Sequence, residues 1–463
     1  MARRSPRVAA VATLAAAAGL ATGPAAAHVG TLEGATAESP IPTWFVVLVA
    51  GVVVGASFLF TSLMADHAAL RWVNGLGLRA GLSRRLRDGL ASVLGAASVL
   101  GLAAVVAVGL FGPPAANDNA ASLFVWVAWW GGFTITTYAV GNAWPLVDPF
   151  RRLAGLVPGD GRRAYPEDLG AWPAVVGVLA LVFLEVVSSA TERPRVLAVL
   201  VVGYAALAVG GAAIFGAGSW FANADPLAAL FRTYGSLAPL QRTEDGLAVR
   251  LPGAALTDGD VFRRPGMVAF VLALLWATTF DGFVSTPAWT AAVTPLAELG
   301  VPAVLLYVLA LAGGFAGFYL TYRLATRRAR DSAGTYVTAA AIARWLAPSL
   351  VPIAAGYHLA HFLGFVVALA PTLFAALQAP IAGPAGLGYT VLGLPDWFGF
   401  LKLGFVLGGH LLAIWVAHSI AFDLFPGARQ PIRSQYPLIA VMIAYTLVSA
   451  WVVVSPTVPT PYT

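Results

Sequence analysis

Residues 43–64 read TWFVVLVAGVVVGASFLFTSLM, an apolar run without a single charged side chain. Wound as an α-helix, a run of this length rises about 33 Å, enough to cross the hydrocarbon core of a bilayer. Working outward, similar runs recur near 89–111, 121–141, 171–190, 195–217, 266–284, 301–322, 349–376, 398–424 and 436–455. The chain as a whole is 463 residues long, 59% hydrophobic and 10% charged, with a mean hydropathy of +0.80. A soluble domain carries about 25% charged residues. The expected fold class is therefore an all-α polytopic membrane protein with about ten transmembrane helices. Its bundle occupies 43–455, and an extracytoplasmic tail covers 456–463.

The first residues have the plan of a signal peptide, with Arg3, Arg4 and Arg7, an apolar stretch from Val8 to Leu20, and small residues at 25–27. Cleavage after residue 27 leaves His28 at the start of a short extracytoplasmic segment, 28–42. Ala35–Ala37 offers a second cleavage point. The loops fix an orientation. Arg71, Arg79, Arg84, Arg85 and Arg87 follow the first span, and Arg151, Arg152, Arg162 and Arg163 follow the third. Arginines also crowd the loops after the fifth, seventh and ninth spans, whereas GPPAANDNA and STPAWTAAVTPLAELG contain none. Positive charge is retained on the cytoplasmic side, which predicts both termini outside and a plasma-membrane location. The same rule explains the net charge of +6, so nucleic acid is excluded as a partner and the lipid bilayer is the expected one.

Two stretches resemble each other, GNAWPLVDPFRRL at 141–153 and GSWFANADPLAALFR at 218–232. In each, an aspartate suited to an N-cap (Asp148, Asp225) precedes a proline suited to the first helical position. Two short interfacial helices are expected on the cytoplasmic side, with Trp144 and Trp220 at headgroup depth. GLAVRLPG, in the loop 240–264, has the pattern of a strand or hairpin. Asp66–His67 reads as an interfacial helix end, and Lys402 lies where it can snorkel.

Four of the six histidines fall in two late spans: His358 and His361 in AGYHLAH, His410 and His418 in GHLLAIWVAH. Spacings of three and eight residues separate side chains by about 60° and 80°, so each pair shares a helix face. His361 and His410 both lie about 18 Å from their span ends, near the midplane, where they are expected to face each other. Histidines placed in this way fit a divalent metal such as copper or zinc, or a bis-imidazole haem. Polar groups at such depth otherwise serve as interhelical hydrogen bonds. Glu185 in ALVFLEVVSSA and Asp281 in WATTFDGFVSTP are the acids placed to act as base, proton carrier or ligand, though Asp281 also suits a solvated helix end. Both are expected above the histidines, nearer the outer face. An N-terminal His28 would chelate Cu(II) through its α-amine and imidazole. Cysteine is absent, and no Walker loop, nucleophile elbow, HExxH or Rossmann glycine pattern stands in a meaningful context.

The stretches PTWFVVLVAGVVVGASFLF, GNAWPLVDPFRRL, ATTFDGFVSTPAW, APSLVPIAAGYHLAH and GHLLAIWVAH together resemble the prokaryotic integral membrane proteins known as fenitrothion hydrolases. The resemblance runs from about residue 40 to the last span. The family pattern AGYxxAH and GHxxxxxxAH implies His361, His410 and His418 as its histidines. It leaves His358 outside, and a histidine soon after the signal supports His28. The resemblance implies hydrolysis of a small apolar organophosphate triester. On that reading a metal held by His361, His410 and His418 activates a water, and Glu185 or Asp281 takes the proton. The competing classes are a copper-handling or haem-binding membrane redox protein, with a possible partner membrane subunit, and a secondary transporter using Glu185 and Asp281 as coupling acids.

Overall fold

The computed structural model describes residues 42–462 apart from 82, 158, 160, 244–245, 259–261, 383–390 and 396, and at 84, 86 and 380–382 it describes the backbone alone. The expected signal peptide, the segment 28–41 and His28 lie outside the described residues. Seven helices are long and apolar enough to cross a membrane: Thr43–Ser62, Arg87–Phe111, Pro194–Phe215, Ala303–Ala333, Ala339–Ala379, Phe398–Leu424 and Arg429–Val454. This is the architecture of an all-α multi-pass membrane protein.

The other three apolar runs are helical but irregular. Residues 120–139 form one helix in three pieces, with a π-helical stretch at Phe124–Phe133 between α-helical Ala120–Leu123 and Thr134–Ala139. Trp172–Val187 has only 16 residues, a rise of about 24 Å. Met267–Phe283 breaks by 80° from Pro287–Glu298. Thr286 supplies the new N-cap by accepting from the Trp289 amide, and Pro287 takes the first helical position.

Burial sorts these helices in a way that hydropathy does not. Met267–Phe283 runs through the middle, with Phe270, Val271, Leu272 and Ala273 wholly buried. The apolar Arg87–Phe111 sits at the periphery, with only 11% of its span buried. Lipid tails are as apolar as leucine, so position in such a bundle follows close packing rather than transfer from water. The clearest case is the crossing of helices Val351–Ala382 and Phe398–Leu424 at Gly356 and Gly409. A Cβ on Gly356 would lie 2.5 Å from the Phe405 carbonyl oxygen, and one on Gly409 would lie 2.4 Å from that of Pro352. The two backbones touch, and only glycine permits it.

Short elements close one end of the bundle. Asp66 caps His67–Gly75 through the Ala68 and Ala69 amides, so the expected helix end is a separate nine-residue helix. The predicted hairpin forms from β2 (Leu240–Thr243) and β3 (Gly246–Arg250), and β1 (Gly77–Gly81) joins β3 from the other side. This antiparallel β1-β3-β2 sheet stitches the loop after the first spanning helix to the loop 240–264. At the opposite terminus the tail folds back, the Val458 amide donating to the Ser285 carbonyl at 2.8 Å and the Tyr307 hydroxyl to that of Pro461 at 2.9 Å.

The expected interfacial helices need correcting. Asp148 and Asp225 do cap Pro149–Ala154 and Pro226–Gly235, accepting from the Arg151 and Ala228 amides. Pro226–Gly235, however, lies inside the bundle with every residue but Arg232 buried. Apart from Arg232, Thr233 and Tyr234 its side chains are apolar, and neighbouring helices cover them on every side. Its one charge is accommodated by two hydrogen bonds, from Arg232 to the Phe221 and Ala222 carbonyls. Trp144 is also buried, packed on Trp129, Phe133 and Phe231, and Trp220 stacks on Phe215.

Burial, reinforced by the nearby Asp225 carboxylate and opposed by the Arg151 amide, pushes the Asp148 carboxyl up from 3.8 to about 7. The folded state therefore holds the proton more tightly than the unfolded one, and stability falls as pH rises through that window. Asp148→Asn retains the accepting oxygen but cannot ionise. Its melting temperature is expected to match the wild type near pH 4 and to exceed it above pH 7, as read by thermal unfolding in detergent.

Candidate functional site

Both candidate acids stand in the last turns of their helices, Glu185 in Trp172–Val187 and Asp281 in Met267–Phe283. The helix dipole is negative at that end and favours a positive partner there. For Asp281 the partner is His361: its Nε2 lies 2.9 Å from Asp281 Oδ2. The carboxylate is buried, while about a fifth of the imidazole remains exposed. Glu185 is fully enclosed. It lies within electrostatic reach of Asp281 and beside the Trp130 indole. Neither its Oε1 nor the Trp130 Nε1 has a hydrogen-bond partner among the described residues. Three helices far apart in sequence thus bring two carboxylates and an imidazole to one place.

The neighbouring residues explain how the pair is held. Tyr357, one turn before His361, rests its hydroxyl against Gly282, where an added Cβ would come within 2.1 Å of it. Gly282 is the residue after Asp281, so the Tyr357 side chain seats on helix Met267–Phe283 beside the ion pair. His358 points elsewhere: its Nδ1 meets the Tyr138 hydroxyl at 3.2 Å, and its ring stacks on Phe362. The π-helical stretch packs on helix Val351–Ala382 and brings Trp130 beside His358 as well as Glu185. Such π-helical insertions frequently accompany functional sites. Tyr357, Gly282, Tyr138 and Trp130 did not stand out in the sequence. The one legible hint was a glycine directly after an intramembrane aspartate.

The remaining histidines serve other ends. His410 is fully buried, its Nδ1 bonded to the Val406 carbonyl one turn earlier at 2.8 Å, and its Nε2 has no partner among the described residues. His418 Nε2 meets the Met64 carbonyl at 2.9 Å, and its Nδ1 meets the Gln435 amide. It therefore ties three segments together. His67 packs on Phe422. Among the described residues no three histidine, aspartate or glutamate side chains are arranged to hold one metal ion. His358, His361 and His418 each face a separate partner and His410 bonds back to its own helix, and among the described residues no three donors converge on one point, so no step is derived through a metal or haem.

What the arrangement offers is acid–base chemistry. A carboxylate at hydrogen-bond distance orients an imidazole and stabilises its protonated form, and a second carboxyl stands ready to exchange a proton. Comparison with protein families, with curated proteins and with solved structures returns no match for this chain.

Proposed function

We propose that this chain is a ten-span plasma-membrane protein with both ends outside, exported by a cleaved signal peptide, and that it hydrolyses small apolar esters of the organophosphate type at an intramembrane acid–histidine centre. The observation that carries the reading is the 2.9 Å contact between His361 Nε2 and Asp281 Oδ2, with Glu185 close by. The resemblance of AGYHLAH and its neighbours to fenitrothion hydrolases supplies the substrate class. Asp281 orients the imidazole. His361 takes a proton from water as the water oxygen bonds to phosphorus, and the bond to the aryloxy group breaks. Glu185 protonates the departing phenolate and regains its proton from His361. The two protons of the water end on the phenol and the acidic phosphodiester. An apolar triester reaches the exposed edge of the imidazole from the lipid.

The test is turnover of a dialkyl nitrophenyl phosphotriester by detergent-purified protein, with and without chelator. Elemental analysis and an absorption spectrum are recorded on the same sample. Turnover that survives chelation, with no Soret band, is expected. A bound metal whose removal abolishes turnover would return the chemistry to the histidines. A second reading, a proton-coupled transporter, draws on the 80° break that follows Asp281 directly and on the buried half-length helix Pro226–Gly235. Proteoliposomes that move protons with a solute but hydrolyse nothing would select it.

A further inference from the structure

A second site lies away from the buried acids, at the end of helix Pro194–Phe215. A cleft of about 820 Å³ opens there, walled by Arg162, Arg163 and Arg264 on its cationic side and by Glu167 and Asp168 on its anionic side. Its aromatic part is Tyr165 and Phe215, whose rings meet edge to face at 5.4 Å, with Trp220 parallel to Phe215 beyond.

The cleft is fixed to the membrane helix. The amides of Arg162 and Arg163 both donate to the Ile214 carbonyl at 2.8 Å, pinning their loop to the helix end. Arg264 is anchored by the Ala222 carbonyl at 2.7 Å. Among the described residues none of these guanidinium groups forms an ion pair with either carboxylate. Opposite charges thus line one cleft without a direct ion pair between them.

Helix Pro194–Phe215 is long enough to cross a bilayer, so its last residue stands at headgroup depth, where aromatic side chains are favoured. The surrounding arginines assign that depth to the cytoplasmic leaflet. Guanidinium groups recognise phosphate through paired hydrogen bonds. Carboxylates and aromatic faces recognise an ammonium. We propose that this cleft binds a phosphate ester carrying a nearby ammonium group, and that its source is the headgroup of a phosphatidylethanolamine-type lipid whose tails lie along helix Pro194–Phe215. This goes beyond the hydrolase reading and does not depend on it.

Delipidated protein is titrated with phosphatidylethanolamine, phosphatidylglycerol, soluble glycerophosphoethanolamine and inorganic phosphate. Binding is followed by native mass spectrometry and melting temperature. Phosphatidylethanolamine is expected to bind roughly tenfold more tightly than phosphatidylglycerol. R162A/R163A should weaken both lipids about tenfold by removing the phosphate contacts they share. E167Q/D168N should reverse the preference toward phosphatidylglycerol while both lipids still bind. These four residues lie in an exposed loop, and an unchanged melting temperature without lipid shows that the variants fold. Equal or tighter binding of phosphatidylglycerol by the wild type overturns the proposal. So does an equal shift from inorganic phosphate, or from glycerophosphoethanolamine at the same concentration, since neither carries the tails.

Discussion

Asp281→Asn is expected to lower phosphotriester turnover by about 10²–10⁴-fold, the loss that follows when an oriented general base loses its carboxylate. The substitution keeps the shape of the side chain and an accepting oxygen beside His361 Nε2. It removes the charge that stabilises the imidazole as it gains a proton. The loss should therefore appear in kcat, with KM little changed, because the interaction strengthens only as the proton moves. His361→Gln is expected to fall to the same level. Glu185→Gln should also fall, with a larger deficit for substrates whose leaving phenol is more basic, since those need its proton most. Steady-state kinetics on a series of nitrophenyl and phenyl phosphotriesters reads all three. Wild-type turnover in Asp281→Asn would remove the carboxylate from the chemistry.

The second large effect is structural. At the crossing of helices Val351–Ala382 and Phe398–Leu424, Gly356→Leu and Gly409→Leu would drive a side chain into backbone carbonyls that cannot rotate away. Overpacking a yielding core costs about 1–3 kcal/mol, and a backbone contact yields less than that. Both variants are expected to lose the monodisperse peak in fluorescence-detected size exclusion. Gly404→Leu and Gly408→Leu lie on the same helix but meet nothing within 4 Å, and they should elute as the wild type does. The contrast separates close helix approach from a general intolerance of bulk.

Sequence reading reached some of this and missed the rest for identifiable reasons. Apolar runs announced the seven long helices because a crossing segment must satisfy its own backbone. Asp148–Pro149 and Asp225–Pro226 announced helix starts because capping is local. The location of Pro226–Gly235 was not local: its arginine and the flanking Trp220 suggested a surface, but hydrogen bonds to Phe221 and Ala222 let the arginine enter the bundle. Glu185, Asp281 and His361 were each singled out, whereas their meeting was not. Depth counted along single helices placed both acids above the histidines, whereas Asp281 meets His361 at 2.9 Å. Spacing fixes which face a residue occupies but not which helix covers that face. For His361 the nearest carboxylate comes from helix Met267–Phe283, and for His418 the partners come from residue 64 and from helix Arg429–Val454.

The central claim is that Asp281 and His361 act as one unit, and a double-mutant cycle tests it most directly. Turnover is measured for the wild type, D281N, H361Q and D281N/H361Q under identical conditions. The pair predicts strong non-additivity, with the double variant no slower than the slower single one. Losses that multiply would show two independent residues and contradict the account.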